Sequence, residues 1–293
     1  MNDLDKELLK TINGNFEYNG AYNIRKNGES IGRNITENTN IISKKDKSGL
    51  EIHVKENAFQ EIIDIPVLIT EEGIQETVYN DFYIGKSASV IIVAGCGIHS
   101  EYDADAEHDG IHRFYLEEAS EVKYIEKHYA EGEGKGKKTI NPVTEIYMGP
   151  NSSMEIETSQ IKGIDDATRT TKCELQHGAK LVINEKIMTH NKKKEKTVFD
   201  VKLDGKNSSA KVTSRAVAID KSKQIFTSNV IGNDECFGHV ECDAIIKDTA
   251  KVMSDPQITA NHVDANLVHE AAIGKIAGEQ LIKLMALGLT EKE

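Results

Sequence analysis

The feature that most constrains the fold is a repeat in which a small residue is followed by a short strand of alternating apolar residues. In a parallel β-helix each coil stacks its inward side chains on those of the next coil, so a small corner residue and alternating apolar residues suit the stacking. The apolar anchors lie ~27 to 32 residues apart, a spacing typical of solenoid coils. These anchors are Val90, Val122, Met154, Leu181 and Val212.

The repeat predicts a mainly β protein built as a parallel β-helix over residues 33–265. A β-sandwich or β-barrel is the alternative, although such folds usually show turn signals every ~8 to 12 residues. Residues 1–32 are predicted to form an N-terminal helical segment, because Leu4 and Ile12 lie on one helical stripe.

Helical periodicity returns in residues 266–293, which are predicted to form a C-terminal helical segment. The last four residues, Thr290 to Glu293, match a capping box, in which a hydroxyl is followed three residues later by Glu. A capping box normally opens a helix, so we expect this C-terminal region to be incomplete in the present sequence.

The formal net charge of −12 and the pI near 5.4 argue against nucleic acid or an anionic membrane as the main partner. The dense basic run from Lys192 to Lys196 contains an acid and is interpreted as a solvated turn. The N-terminus has acids where a signal peptide needs positive charge, and no window approaches ~18 uncharged apolar residues. We expect a cytoplasmic protein.

Potential metal ligands are concentrated in the last quarter of the chain. Thiolates suit iron-sulfur clusters or zinc, and Glu and His complete an incomplete thiolate set. Because Cys236 and Cys242 are six residues apart, they face the same side of one continuous strand unless Gly238 breaks the alternation. The candidate ligands are Cys236, Glu241, Cys242, His262, His269 and Glu270.

A second set of donors consists of Cys96, His99, His108 and His112. One sulfur and three imidazoles match the four-coordinate arithmetic of a structural zinc site. The opposing interpretation is that these are buried or strand-edge side chains, since the two histidines four residues apart share a face only on a helix.

Several enzyme classes lack support in the sequence. Phosphate-loop, dinucleotide-binding, nucleophile-elbow and zinc-protease motifs are absent. A carbohydrate-active β-helix enzyme needs a pair of carboxylates and usually sugar-stacking rings, neither of which is evident here. We therefore expect a protein that is not itself an enzyme.

The segment from Glu241 to Ile246, followed by the segment from Val268 to Ile276, resembles the C-terminal half of the SufB/SufD family of iron-sulfur cluster assembly scaffolds. Leu287-Gly-Leu-Thr-Glu291 extends the likeness, and Asn141-Pro-Val-Thr144 fits more loosely. The resemblance implies a right-handed parallel β-helix flanked by helices, a homodimer formed through its core, and a SufC-like ABC ATPase bound to the C-terminal helices. Apo iron-sulfur acceptor proteins are the other implied partners.

The resemblance carries over onto particular residues. Cys242 matches the scaffold cysteine of the family, and His269 and Glu270 match its His-Glu pair; Cys236 is added because it lies nearby in the sequence. Met148, Gly149 and Pro150 occupy the neighbourhood in which larger bacterial members carry a sulfur-accepting cysteine.

Two functional hypotheses follow. In the first, the chain is a minimal scaffold that takes iron and sulfide more directly and builds a cluster, expected to be [4Fe-4S], between protomers. In the second, it is a zinc-stabilised solenoid that uses Cys96, His99, His108 and His112 and performs no cluster chemistry.

Overall fold

A computed structural model describes residues 1–14 and 20–275, together with residues 285, 286, 288 and 290. One α-helix, α1 (Asp3–Asn13), precedes twenty β-strands in the described part of the chain. The strands are β1 (Ala21–Lys26), β2 (Glu29–Asn34), β3 (Thr39–Ser43), β4 (Gly49–Val54), β5 (Glu61–Ile69), β6 (Gln75–Ile84), β7 (Ser89–His99), β8 (Ala106–Leu116), β9 (Glu121–Glu131), β10 (Lys138–Ile140), β11 (Val143–Met148), β12 (Ser153–Lys162), β13 (Asp166–Leu175), β14 (Lys180–Thr189), β15 (Lys194–Leu203), β16 (Ser209–Ala218), β17 (Lys223–Gly232), β18 (Cys236–Ile246), β19 (Lys251–Ala260) and β20 (Ala265–Gly274).

The strands form two ten-stranded sheets that the chain enters alternately. Sheet I has the order β2-β1-β5-β7-β9-β12-β14-β16-β18-β20, and sheet II has the order β19-β17-β15-β13-β10-β8-β6-β4-β3, with β11 also pairing with β8 and β13. All pairings are parallel except β1 with β2 and β3 with β4. The predicted fold is confirmed: the chain is a β-solenoid of about 8 turns with a short N-terminal helix.

The core lies between the two sheets, because inward and outward residues alternate along each strand and parallel register stacks like positions on one another. Phe82 and Phe114, for example, stack with ring centroids 4.5 Å apart. The predicted anchors Val90, Val122 and Met154 are all buried in this core.

The corners of the coils explain the Asn and Asp residues that separate the strands. Asn151, Asn191, Asn207 and Asp220 have φ values of 57 to 60°. Asn and Asp adopt this left-handed conformation more readily than other residues with a side chain. They turn the chain from one sheet to the other.

Helix α1 begins with a capping box between Asn2 and Asp5. It buries Leu8 and Ile12 against the outer face of sheet I, where glycines leave room for it. A Cβ atom at Gly97 would lie 2.6 Å from Leu8 Cδ2, and one at Gly95 would lie 2.9 Å from Ile12 Cβ. The glycines on either side of Cys96 therefore serve helix packing.

The predicted helical boundaries need correction. Strands β1 and β2 occupy most of residues 21–34, so only the first part of the 1–32 segment is helical. At the other end, β20 occupies Ala265–Gly274, so the start of the predicted 266–293 segment is strand. Most of the remaining C-terminal prediction lies outside the described residues, and the division of the chain into domains stays a prediction.

No helix within the described residues is long and apolar enough to cross a membrane.

Candidate functional site

The two C-terminal cysteines lie on β18 and point between the sheets. Cys236 and Cys242 are 6% and 2% exposed, and both occupy inward positions of the strand. The prediction that they face the same side is therefore confirmed, and Gly238 does not break the alternation. In register with the last strand of sheet I, Cys236 lies opposite Ala265 and Cys242 lies opposite Ala271.

The Cys242 thiol is held in its neutral form. Burial raises its pKa to about 11, although the neighbouring Ser254 hydroxyl acts in the opposite direction. Burial also raises the pKa of Cys236. On the other side of β18, the inward residue in register with Cys242 is Ser214 of β16. The thiol thus lies among small hydroxyl side chains from both sheets.

The predicted His-Glu pair is divided between the two faces of β20. His269 falls at an inward position, whereas its neighbour Glu270 is exposed on the outer face. Consecutive residues of a strand point to opposite sides, so the two side chains cannot share a face. Of this pair, only His269 is on the same side of sheet I as Cys242.

His269 is half-buried in the last described coil. Burial lowers the pKa of its imidazole, with His239 acting in the same direction. Its Nε2 atom is buried and has no hydrogen-bond partner within the described residues. A neutral imidazole with a free nitrogen is able to bind a metal ion.

Glu270 belongs to a polar group on the outer face of sheet I. Its Oε2 lies 3.5 Å from Nε2 of His239, and in register it faces Glu241. Glu241 Oε1 in turn lies 3.9 Å from the exposed Arg215. The candidate ligands of the last quarter are therefore split into an inner group and an outer group.

His262 joins neither group. It lies in the turn between β19 and β20, where its Nδ1 accepts a hydrogen bond from the backbone N–H of Asp264 at 3.1 Å. Residues 1–14 and 20–275, with the four described residues beyond, contain no group of three or more His, Cys, Asp and Glu arranged to hold a metal ion.

The proposed zinc set does not assemble either. Cys96 faces the core, where burial raises the pKa of its thiol well above the ordinary value, whereas His99 lies on the outer side between Glu101 and Glu131 at 3.2 and 3.3 Å. His108 and His112 both occupy inward positions of β8 in sheet II, so the expectation that only a helix could place them on one face is wrong. Both have other partners. The zinc interpretation fails because alternation along β7 sends Cys96 and His99 to opposite faces.

Both sheet II histidines are held by hydrogen bonds inside the solenoid. His108 Nδ1 lies 3.1 Å from Glu76 Oε1. His112 Nδ1 lies 2.7 Å from the Tyr124 hydroxyl, and its Nε2 lies 3.3 Å from Asn80 Nδ2. Burial lowers the pKa of His112 to about 4, so the ring is neutral and these bonds use both of its nitrogens.

Sequence reasoning missed a charged cluster in the middle of the core. Arg169 is buried, and its guanidinium donates to Glu126 and lies 3.0 Å from His128 Nδ1. Burial opposes the charge on Glu126, yet Arg169 holds the pKa of that carboxyl well below its usual range. The Tyr124 hydroxyl also donates to Glu126, at 2.9 Å.

Glu185 links the charged side chains around Arg169 to the strand next to β18, which carries the two cysteines. The Arg169 Nε atom lies 3.5 Å from Glu185, which accepts hydrogen bonds from Thr197 at 3.2 Å and from Ser214 at 2.7 Å. Burial raises the pKa of Glu185 despite the nearby arginine. Since Ser214 is the in-register neighbour of Cys242, buried polar side chains extend from the middle of the solenoid to the thiol.

A signal for this cluster exists in the sequence. Arg169 and Glu185 occupy inward positions of strands in which the neighbouring inward residues are apolar or small. A charged residue at such a position must be paired inside the core.

Comparison with known proteins relates the chain to cluster assembly. The sequence profile described as "SUF system FeS cluster assembly, SufBD core domain" matches residues 163–293. An iron-sulfur cluster assembly SufBD family protein from Pyrococcus horikoshii is 30% identical over 234 residues, which are 77% of this chain and 68% of the relative.

Two further relatives carry the same description. One from Methanothermobacter thermautotrophicus (strain Winter) is 29% identical over 237 residues, 78% of this chain and 55% of the relative. One from Methanocaldococcus jannaschii is 40% identical over 94 residues, 32% of this chain and 30% of the relative. The chain thus spans about half the length of the Methanothermobacter relative.

Proposed function

The chain belongs to the SufBD family of iron-sulfur cluster assembly proteins, and on that premise we propose that it is a non-catalytic scaffold on which a cluster is built. The cluster is the cargo of this scaffold. The observation that carries the proposal is the position of Cys242, an inward thiol in the C-terminal coils on the same side of sheet I as His269, whose buried Nε2 has no partner among the described residues.

Cys242 is the primary cluster ligand in this proposal, and His269 is the second. Both side chains point to the same side of sheet I. Burial makes the thiol neutral, and metal binding releases its proton because thiolate is the ligand form. Cys236, six residues earlier on the same face, is available as a further soft donor.

One thiol and one imidazole do not complete the coordination of a cluster, which usually has four protein ligands. We propose that a second copy of the chain supplies the others, so that the cluster forms between protomers. Glu270 points to the outer face next to His239, away from Cys242 of its own chain, so it is proposed as an oxygen ligand contributed by the second copy when the dimer forms. The cluster type proposed is [4Fe-4S].

We further propose that a SufC-like ABC ATPase binds the C-terminal segment 266–293 and supplies the ATP hydrolysis. A bound ATPase can bias the site only through contacts that differ between two conformations of the scaffold. Segment 266–293 itself contains His269 and pairs through β20 with β18, which carries Cys242, so a partner bound to this segment would act close to the site.

The test is replacement of Cys242 by Ser, with Cys173→Ser as the matched control. Cys173 is 1% exposed and also faces inward, but it lies in the apolar core of sheet II. Both proteins are reconstituted with iron and sulfide without oxygen, and iron, acid-labile sulfide and the visible spectrum are measured. We expect the Cys242→Ser protein to lose the cluster and the Cys173→Ser protein to keep it. Equal iron and sulfide in the Cys242→Ser and unmodified proteins would contradict the assignment.

A further inference from the structure

Three lysines form a ridge along one corner of the solenoid. Lys194, Lys223 and Lys251 are the first residues of β15, β17 and β19, and they lie directly opposite one another in register. All three are exposed, and none makes an ion pair or a side-chain hydrogen bond with any residue that the structure describes. We call these three residues the lysine ridge.

The turns that lead into these strands add further unpaired cations. Lys192, Lys221 and Lys247 are exposed and likewise have no side-chain partner in the described part of the chain. Residues 180–251 contain 14 Lys and Arg against 10 Asp and Glu, although the whole chain has a formal net charge of −12. Positive charge is therefore concentrated in the C-terminal coils.

The carboxylates in the same turns already have hydrogen-bond or ion-pair partners. Asp220 Oδ2 accepts a hydrogen bond from the backbone of Asn191 at 2.7 Å, and Asp248 Oδ2 accepts one from the backbone of Asp220 at 3.3 Å. Asp165 pairs with Lys193 at 3.3 Å. These carboxylates hold the stacked turns together, and they leave the ridge cations without partners.

The preceding coil shows how a lysine at this corner is otherwise neutralised. Asp166 stands in register next to Lys194, and it forms an ion pair with Lys137 at 2.9 Å. Like charges directly opposite one another on neighbouring strands are destabilising. From β15 onward the chain nevertheless places lysine against lysine, which favours an external anionic partner.

The ridge lies close to the cysteine-bearing strand. β18 enters the turn before Lys251, and Cys242 is four residues from the end of β18, which is ~13 Å along the strand. A protein bound on the ridge would therefore stand next to the coils that hold the proposed ligands.

We propose that the lysine ridge docks an acidic face of the protein that accepts the cluster. The inference rests on the proposed scaffold function and adds the surface and the charge of the acceptor. Such a charged contact increases the association rate and selects the partner, and it weakens with salt.

An acidic protein fits the ridge better than a nucleic acid does. Three strands spaced about 4.8 Å apart give a ridge only ~10 Å long. Nucleic-acid binding gains its affinity from many phosphate contacts along an extended backbone, and a ridge of this length reaches only a few phosphates. A few carboxylates on a folded protein match the length and the charge.

The test measures binding of an acidic apo-ferredoxin, fluorescently labelled, to the full chain without iron or sulfide. One variant carries Lys194→Glu, Lys223→Glu and Lys251→Glu. The matched control carries Lys180→Glu, Lys186→Glu and Lys211→Glu, three exposed lysines of sheet I that give the same change in charge. Circular dichroism checks that both are folded, and a Lys→Gln version of the ridge variant removes the charge without adding acids.

We expect the ridge variant to bind at least about tenfold more weakly at low salt and the control to stay within about twofold of the unmodified chain. The affinity of the unmodified chain is expected to fall as salt increases. Equal weakening in both variants, or no weakening in the ridge variant, would overturn the proposal. Tighter binding of a single-stranded RNA of 20 nucleotides, lost in the ridge variant, would also overturn it.

The binding assay is separate from the test of the scaffold. The ridge variant is also reconstituted with iron and sulfide, and it is expected to load as the unmodified chain does. Failure of every protein to load, with ridge-dependent ferredoxin binding intact, would reject the scaffold and keep an acidic-protein surface. Normal loading with iron and sulfide, without ridge-dependent ferredoxin binding, would reject the lysine ridge as the docking surface and keep the scaffold function.

Discussion

The middle of the solenoid and its C-terminal end both bury polar side chains, but they satisfy them differently. In the middle, Arg169 is enclosed by Glu126 and Glu185, and each carboxylate also accepts a hydroxyl hydrogen bond. At the end, His269 Nε2 is buried and lacks a hydrogen-bond partner among the described residues.

The difference concerns the charged groups and not every polar atom, since Gln160 Oε1 and Glu195 Oε1 near the middle also lack hydrogen-bond partners among the described residues. A buried polar atom without a partner costs about 1–3 kcal/mol. The paired charges around Arg169 therefore serve the fold. The unpaired nitrogen of His269 is where a bound cargo would add a contact, which is consistent with the proposed scaffold function.

The largest expected effect on stability comes from removing Arg169, the arginine in the middle of the solenoid. Arg169→Met should lower the free energy of unfolding by about 3–5 kcal/mol, because it leaves two buried carboxylates without their counter-ion. Urea unfolding followed by circular dichroism measures the loss. Arg215→Met is the control, since that side chain is 66% exposed and should change stability by less than about 1 kcal/mol. Similar losses of unfolding free energy in the two variants would mean that the charged side chains around Arg169 do not stabilise the fold.

A second test uses pH. His112 has a pKa of about 4 in the folded chain because it is buried, below its value of about 6.5 in an unfolded chain. Its contribution to stability is present above pH ~6.5 and is lost as pH falls toward 4, where the unfolded state binds the extra proton. Burial lowers the pKa of His128 too, so the two act in the same direction.

The expected loss from His112 between those pH values is on the order of 3 kcal/mol. Urea unfolding of the unmodified chain and of His112→Gln, repeated from pH 7 to pH 4.5, should show a shallower decline in the variant. The same decline in both proteins would show that His112 is not a neutral, buried group of the central network.

The smallest expected effect comes from a pair of buried serines. Ser214 is 2% exposed and donates to Glu185 at 2.7 Å, whereas Ser228 is 1% exposed and its Oγ has no partner among the described residues. Ser214→Ala should cost about 1–3 kcal/mol, while Ser228→Ala should be near neutral because it removes an unsatisfied group. Thermal unfolding of the two variants compares them directly. A reversed order would show that the hydrogen bond from Ser214 to Glu185 does not stabilise the fold.

Much of the fold could be predicted because it depends on local pattern. The repeat of small residues and alternating apolar residues, with anchors such as Val122 and Met154, predicts coils that stack in parallel, and these anchors are buried. The C-terminal helical segment is predicted to begin at residue 266, which is too early, because Leu267 lies on β20. Short apolar segments suit a strand as well as a helix, and the pairing with β18 decides between them.

The candidate site was predicted in part. The shared face of Cys236 and Cys242 follows from their spacing, since residues six apart on a strand point the same way. The separation of His269 from Glu270 was missed because that segment was assigned to a helix. The contacts of Arg169 with Glu126 and His128 were missed because these residues lie 43 and 41 residues from it along the chain.

The sequence by itself determined the solenoid, the corners with Asn and Asp, the common face of the two cysteines and the membership of the SufBD family. The first three depend on alternation or on spacing within one coil, and the family membership depends on the residues that match the family. The tertiary structure alone decided that Ser254 lies beside Cys242, that Arg169 meets Glu126 and that the lysines align along one corner. Such contacts depend on the register between coils, which is set by the packing of many side chains at once.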